Sequence, residues 1–157
     1  MEALLPKVKL NPNGSQRLKT FAVFNGKLIK EYGLADPISS THDSFSLYVE
    51  EIPTEEIEAQ EDELILNCFH YTGDVSRLHG IPFKIVVKEN EEIRDTKTRI
   101  RARLGMSEKD FAKVKFVLCH QSGKVTPLED GKRYPLFILT KLKGDTLQMR
   151  AASILFA

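Results

Sequence analysis

Between Glu50 and Glu63, nine of fourteen residues are acidic or Gln. Such a run buries little apolar surface, so a single hydrophobic core does not extend through it. Pro53 reinforces the break, because it withholds a backbone donor and interrupts a strand. The 157 residues therefore divide into two small units, at 1–52 and 63–142, with an acidic linker at 53–62 and a tail at 143–157. With 41% hydrophobic and 29% charged residues, such a chain builds a core without disulfides or metals.

Local signals assign elements to each unit. Leu4, Leu5 and Val8 fall at helical spacing within residues 1–10, and Asn11-Pro12-Asn13-Gly14 ends that helix. Leu18–Phe24 and Lys27–Tyr32 flank Asn25-Gly26, the strongest short hairpin signal. Ser44–Glu50 reads as a half-buried strand with Phe45, Leu47 and Val49 on its inner face. In the second unit, Leu64–Tyr71 and Pro82–Lys88 read as strands separated by a polar loop at Thr72–Gly80. Glu91–Leu104 is the best helix, with Asn90 as its cap and Gly105 as its stop. Its stripe is Ile93, Ile100 and Leu104, with the aliphatic parts of Thr96 and Lys97 filling the gap. Ser107 and Asp110 open a further helical turn, and Val114–Cys119 is another strand. The expected core is Ile85, Val87, Ile93, Ile100, Leu104, Phe116 and Leu118. Strand, strand, helix, strand is the opening order of an α+β, ubiquitin-like β-grasp.

Four strings, in order, carry a family resemblance. Glu50-Glu51-Ile52-Pro53, Gly80-Ile81-Pro82-Phe83, Glu108-Lys109-Asp110-Phe111 and Lys113-Val114-Lys115-Phe116 are similar to segments in the C-terminal region of the herpesvirus-associated ubiquitin-specific proteases. These are MATH-domain cysteine deubiquitinases with five C-terminal ubiquitin-like repeats. The resemblance covers residue 1 to about Leu118. It implies that 1–52 is the end of the fourth repeat, without its first two strands, and that 63–142 is the fifth. After about Leu128 the chain departs from the family, and Lys132–Ala157 matches neither its acidic stretch nor its basic tail. Two accounts of this ending stand side by side. One is a gene-model error, since Gly131-Lys132 can be encoded across a splice-donor sequence. The other is a genuine closing strand at Pro135–Leu142.

The chemistry-bearing residues point away from catalysis. A thiol protease needs a Cys, a His to activate it and an Asp or Asn to orient the His. Cys68 and Cys119 are the only cysteines, and both lie in apolar strands where a thiol acts as a small hydrophobe. With His70 and His120 they form a conceivable metal quartet, but they lack the usual ligand spacing. Gly123-Lys124 fits no phosphate loop. Arg94, Lys97, Arg99, Arg101 and Arg103 alternate with acids on one helix and read as a solvated face. Net charge +1 gives no general pull toward nucleic acid or an anionic membrane, and no apolar run reaches the length of a span. The expectation is thus no catalytic, metal or cofactor site, and a protein partner. The resemblance implies docking on a deubiquitinase catalytic domain as a regulatory module. The alternative is a free-standing ubiquitin-like adaptor for another ubiquitin-pathway or proteasomal partner. Two unpaired thiols and the absence of a leader-like start fit the nucleus or cytoplasm.

Overall fold

A computed structural model describes residues 10–33, 36, 43–60, 63–88, 90–120, 124–133 and 152–156. The expected helix at 1–10 and the run Pro135–Leu142 lie outside the described residues.

The first unit is a three-stranded antiparallel sheet. Its strands are β1 (Leu18–Phe24), β2 (Lys27–Tyr32) and β3 (Ser46–Glu51), in the order β2-β1-β3. Asn25 and Gly26 both take left-handed backbone angles, with φ of 49° and 72°. Two such residues make the turn whose twist matches a right-twisted hairpin, as the sequence predicts. The inner face expected for β3 is not realised. Leu47 and Val49 remain 41% and 38% exposed, whereas Tyr48, on the opposite face, stacks on Phe21 at 5.8 Å. The reason is position: among the described residues β3 is an edge strand, so Leu47 and Val49 have sheet neighbours on one side only.

The second unit is a five-stranded mixed sheet crossed by a helix. A short helix α1 (Thr54–Ile57) leads into β4 (Leu64–Thr72) and β5 (Asp74–Val87). Then follow α2 (Ile93–Leu104), α3 (Glu108–Phe111), β6 (Phe116–His120), β7 (Val125–Pro127) and β8 (Ala152–Phe156). The order is β5-β4-β8-β6-β7, with β4 and β8 parallel and every other pair antiparallel. This α+β architecture is compatible with the expected ubiquitin-like fold.

Several local readings are corrected. Thr72–Gly80 is no loop. Gly73 turns the chain at φ 71°, and Asp74 already belongs to β5. That end of β5 is exposed on both faces, so its composition resembles a loop while its backbone pairs with β4. Helix α2 starts at Ile93, two residues late, because Asn90 adopts φ 60° in a turn and Glu92 takes the cap position. Its end follows expectation. Gly105 N–H donates to Ala102 O and Met106 N–H to Arg101 O, both at 3.2 Å, which satisfies the last carbonyls. Ser107 Oγ accepts from Asp110 N–H at 3.2 Å as α3 begins. The closing strand lies at 152–156, within the expected tail and beyond the expected domain limit of 142.

The core fills the space between α2 and the sheet. Leu66, Cys68, Phe83, Ile85, Val87, Ile93, Ile100, Phe116, Leu118, Leu128 and Phe156 are buried there, and Leu104 packs partly buried against them. Phe156 contributes the packing that sequence reasoning lacked, with Phe83 at 5.8 Å and Phe116 at 5.9 Å.

Thr96 sits on the inner side of α2 at 0% exposure, and its Oγ1 has no hydrogen-bond partner among the described residues. A buried, unsatisfied hydroxyl costs roughly 1–3 kcal/mol. Thr96→Val keeps the shape and β-branching while removing that hydroxyl. It is expected to raise stability by about 1 kcal/mol, measured as a higher urea midpoint at unchanged slope.

Candidate functional site

The two thiols are placed for packing. Cys68 is fully buried in the core, and burial pushes its thiol pKa far up, with Arg103 and Arg99 only partly opposing. Cys119 is half-buried, and burial raises its pKa as well. A nucleophilic cysteine needs the opposite shift, toward thiolate. The two cysteines of the conceivable metal quartet lie on opposite faces of the sheet. Phe116 and Leu118 face the core with Cys68, so Cys119, next along β6, points to the other side of the sheet. His70 stacks on His79 instead, and nothing is described of the His120 side chain. Among the described residues no group of three or more potential ligands gathers. Lys124 is exposed, and Gly123 lies outside the described residues.

The side chains that do converge lie between the two units. Arg99 and Arg103, four residues apart on α2, reach the outer edge of β5. Arg99 donates to Val86 O at 2.6 Å and Arg103 to Lys84 O at 2.7 Å. These guanidiniums cover edge carbonyls that would otherwise be open to another strand. Arg99 also pairs with Glu91 at 2.6 Å and with Glu55 of α1 at 2.8 Å. Burial opposes the Arg99 charge, but the carboxylates of Glu91 and Glu55 outweigh it and hold its pKa above the ordinary value. Arg103 lies over the Phe83 ring at 4.7 Å and pairs with Glu50 of β3 at 3.3 Å. Lys19 of β1, nearly buried, joins Glu50 at 3.1 Å and Glu56 at 2.7 Å. Glu31 of β2 meets Lys84 of β5 at 2.7 Å.

Two expectations change here. The acidic stretch at 53–62 is only in part a solvated linker, because Glu55 and Glu56 tie α2 and β1 to α1. The basic helix face is likewise partly committed. Arg99, Arg103 and Lys97, which holds Leu128 O and Asp130, are used inside the chain, while Arg94 stays exposed and Arg101 reaches Glu108 at only 3.7 Å. No local pattern announces these pairings. Glu55 and Arg99 are 44 residues apart, and only the folded chain shows that they meet.

Close backbone contact completes the seam. The turn at Gly26 rests on the backbone of Leu78 and His79 in β5. A Cβ on Gly26 would come within 2.5 Å of His79 N, so only glycine admits this approach. The arrangement fixes one unit on the other. Among the described residues it presents no activated nucleophile, and no helix is long and apolar enough to cross a membrane.

Comparison with known proteins assigns this architecture a family. The chain is 34% identical over 114 residues to ubiquitin carboxyl-terminal hydrolase 15 of Schizosaccharomyces pombe, covering 71% of this chain and 10% of that protein. It is 29% identical over 137 residues to ubiquitin carboxyl-terminal hydrolase 5 of the same yeast, covering 87% of this chain and 12% of that protein. Ubiquitin C-terminal hydrolase 13 of Arabidopsis thaliana is 31% identical over 119 residues, covering 72% of this chain and 11% of that protein. The chain thus spans about a tenth of the length of these relatives. A model of the ubiquitin-specific protease C-terminal region matches residues 1–152, well past Leu128, where the resemblance read from sequence fails. With nearly its whole length in that match, the chain belongs to the ubiquitin-specific protease C-terminal family.

Proposed function

We propose that this chain is a non-catalytic, ubiquitin-like region of a cysteine deubiquitinase and works as a regulatory, protein-interaction module. The observation that carries the reading is the sheet order β5-β4-β8-β6-β7, with parallel central strands under α2, in a member of a protease C-terminal family. Buried or half-buried thiols with raised pKa values support a non-catalytic role.

The three-stranded sheet supports a second, partial ubiquitin-like repeat at 1–52. Its hairpin β1–β2 and antiparallel pair β1–β3 repeat the arrangement of β6–β7 and β6–β8. In the larger sheet the strand corresponding to β3 has a parallel neighbour, β4. The open edge of β3, with Leu47 and Val49 exposed beside it, suits such a neighbour from sequence preceding this segment in a longer protein. Nuclear or cytoplasmic residence goes with this reading, since both thiols are free.

Regulation would act through populations. A module that binds one conformation of a catalytic domain better than another raises the share of that conformation, whereas equal binding shifts nothing. For this segment, docking without strong activation is the outcome proposed. The test adds the purified chain to an isolated catalytic domain of the family. Calorimetry reads binding, and cleavage of a ubiquitin–fluorophore conjugate reads turnover. Saturable binding with less than about a twofold change in kcat/KM is expected, about 0.4 kcal/mol of differential binding. Cleavage by the chain alone, lost on Cys68→Ser or Cys119→Ser, would sink the reading. Absence of binding would favour the free-standing adaptor.

A further inference from the structure

His70 and His79 are direct cross-strand partners on β4 and β5, just past the register shift that follows Cys68. Their rings stack at 4.6 Å between centroids, inclined by 27°. The Phe156 ring of the closing strand also stacks on His70, at 4.5 Å. Three rings from β5, β4 and β8 therefore meet at one end of the sheet. His79 Nε2 lies 2.6 Å from Thr72 Oγ1. The backbone at Leu78 and His79 is also the platform on which the Gly26 turn of the first unit rests. His79 thus joins three things: the β4–β5 pairing, the seat of the closing strand and the contact between units.

We propose that the His70–His79 pair is an acid-sensitive latch, closed while the two imidazoles carry at most one proton between them and loosened when both are charged. Two imidazolium rings at stacking distance repel, and among the described residues the groups facing them offer little compensation. From β5 the facing group is His79 itself, from β8 the uncharged Phe156 and from β4 the Thr72 hydroxyl, while the Gly26 turn of the first unit lies against the backbone of His79. The carboxylate at this end of the ladder, Asp74, accepts from Ser76 N–H at 2.7 Å. Among the described residues neither histidine takes part in an ion pair of those found between the units or elsewhere.

The direction of the effect follows from linkage. Burial, and then the charge on His79, lower the His70 pKa below its ordinary 6.5. The folded chain therefore binds the proton less readily than the unfolded chain. The stability contributed by the neutral ring is full above that ordinary value and is lost as pH falls through it toward the lower folded pKa. Loosening at His79 would then reach both the Phe156 end of the closing strand and the platform for Gly26.

Amide hydrogen exchange of the full chain, corrected for intrinsic rates, tests this at about pH 7.5 and about pH 5.5. Protection at Leu78–Gly80 and Phe156 is expected to fall about fivefold to tenfold on acidification. His70→Phe keeps a ring against Phe156 and removes the titration, so its protection should stay flat. His79→Gln keeps an acceptor for Thr72, and the NMR titration midpoint of His70 should rise in it. An equal fall in His70→Phe, or a His70 midpoint unmoved by His79→Gln, would overturn the latch.

Discussion

A chain ending at Arg133 is expected to lose the cooperative unfolding transition of the second sheet. Strand β8 is not peripheral. It pairs in parallel with β4 through Asn67↔Ser153 to His70↔Phe156, and antiparallel with β6 through Phe116↔Phe156 to His120↔Ala152. Removing it divides the sheet into two hairpins, β4–β5 and β6–β7, which have no ladder of their own in common. Isolated two-stranded hairpins are marginal in water at best. The cut also removes Phe156, 2% exposed, from between Phe83 and Phe116. Large-to-small changes of a buried aromatic alone cost about 3–5 kcal/mol, a large part of a small domain's total stability. A companion chain ending at Gly144 keeps Pro135–Leu142, which one of the two accounts drawn from sequence makes the closing strand. It should behave like the shorter chain in urea, with a broad, non-cooperative change in near-ultraviolet dichroism. A sigmoidal transition at the full-length midpoint would move the closing strand to Pro135–Leu142.

The contrast between those two runs shows what the sequence made legible. Asn25-Gly26, Gly105 and the Ser107–Asp110 pair are local devices, and each was readable because its geometry depends on neighbours within a few residues. The stripe on α2 was readable because helical period is also local. Strand β8 is only five residues long, and parallel pairing with β4 is set by topology across more than eighty residues. Pro135–Leu142 is longer and long enough to show a strand pattern, so pattern alone favours it. The seam between the units was illegible for a similar reason. Glu50, Glu55 and Glu56 are abundant acids in an acidic stretch, and nothing local tells a solvated carboxylate from one facing Lys19, Arg99 or Arg103. The candidate site followed the same rule: the burial of Cys68 was legible from its apolar strand, but its neighbour two residues on, His70, stacks on His79, which lies in a stretch read as a polar loop.

Ile100→Ala is expected to destabilise the second unit by about 2–5 kcal/mol. Ile100 is 0% exposed and belongs to the inner stripe formed by Ile93, Thr96 and Ile100. It faces a sheet whose inner side is lined by Leu66, Ile85 and Leu118, each nearly or fully buried. Truncation removes buried methyl and methylene groups and leaves a cavity, because neighbours held by strand pairing collapse only partly. Helix propensity works the other way, since Ala is the better helix former, but that gain is a few tenths of a kcal/mol, up to roughly 0.7, and cannot offset the cavity. A control separates packing from backbone effects. Ile29, on β2, is 40% exposed, so Ile29→Ala should change stability by no more than about 0.5–1 kcal/mol. Urea denaturation followed by far-ultraviolet dichroism measures both variants. The Ile100→Ala midpoint should fall well below wild type with little change in slope, while Ile29→Ala stays close to it. Equal midpoints for Ile100→Ala and wild type would mean that α2 presents a different face to the sheet. The core that joins helix and sheet, and with it the ubiquitin-like arrangement, would then have to be redrawn.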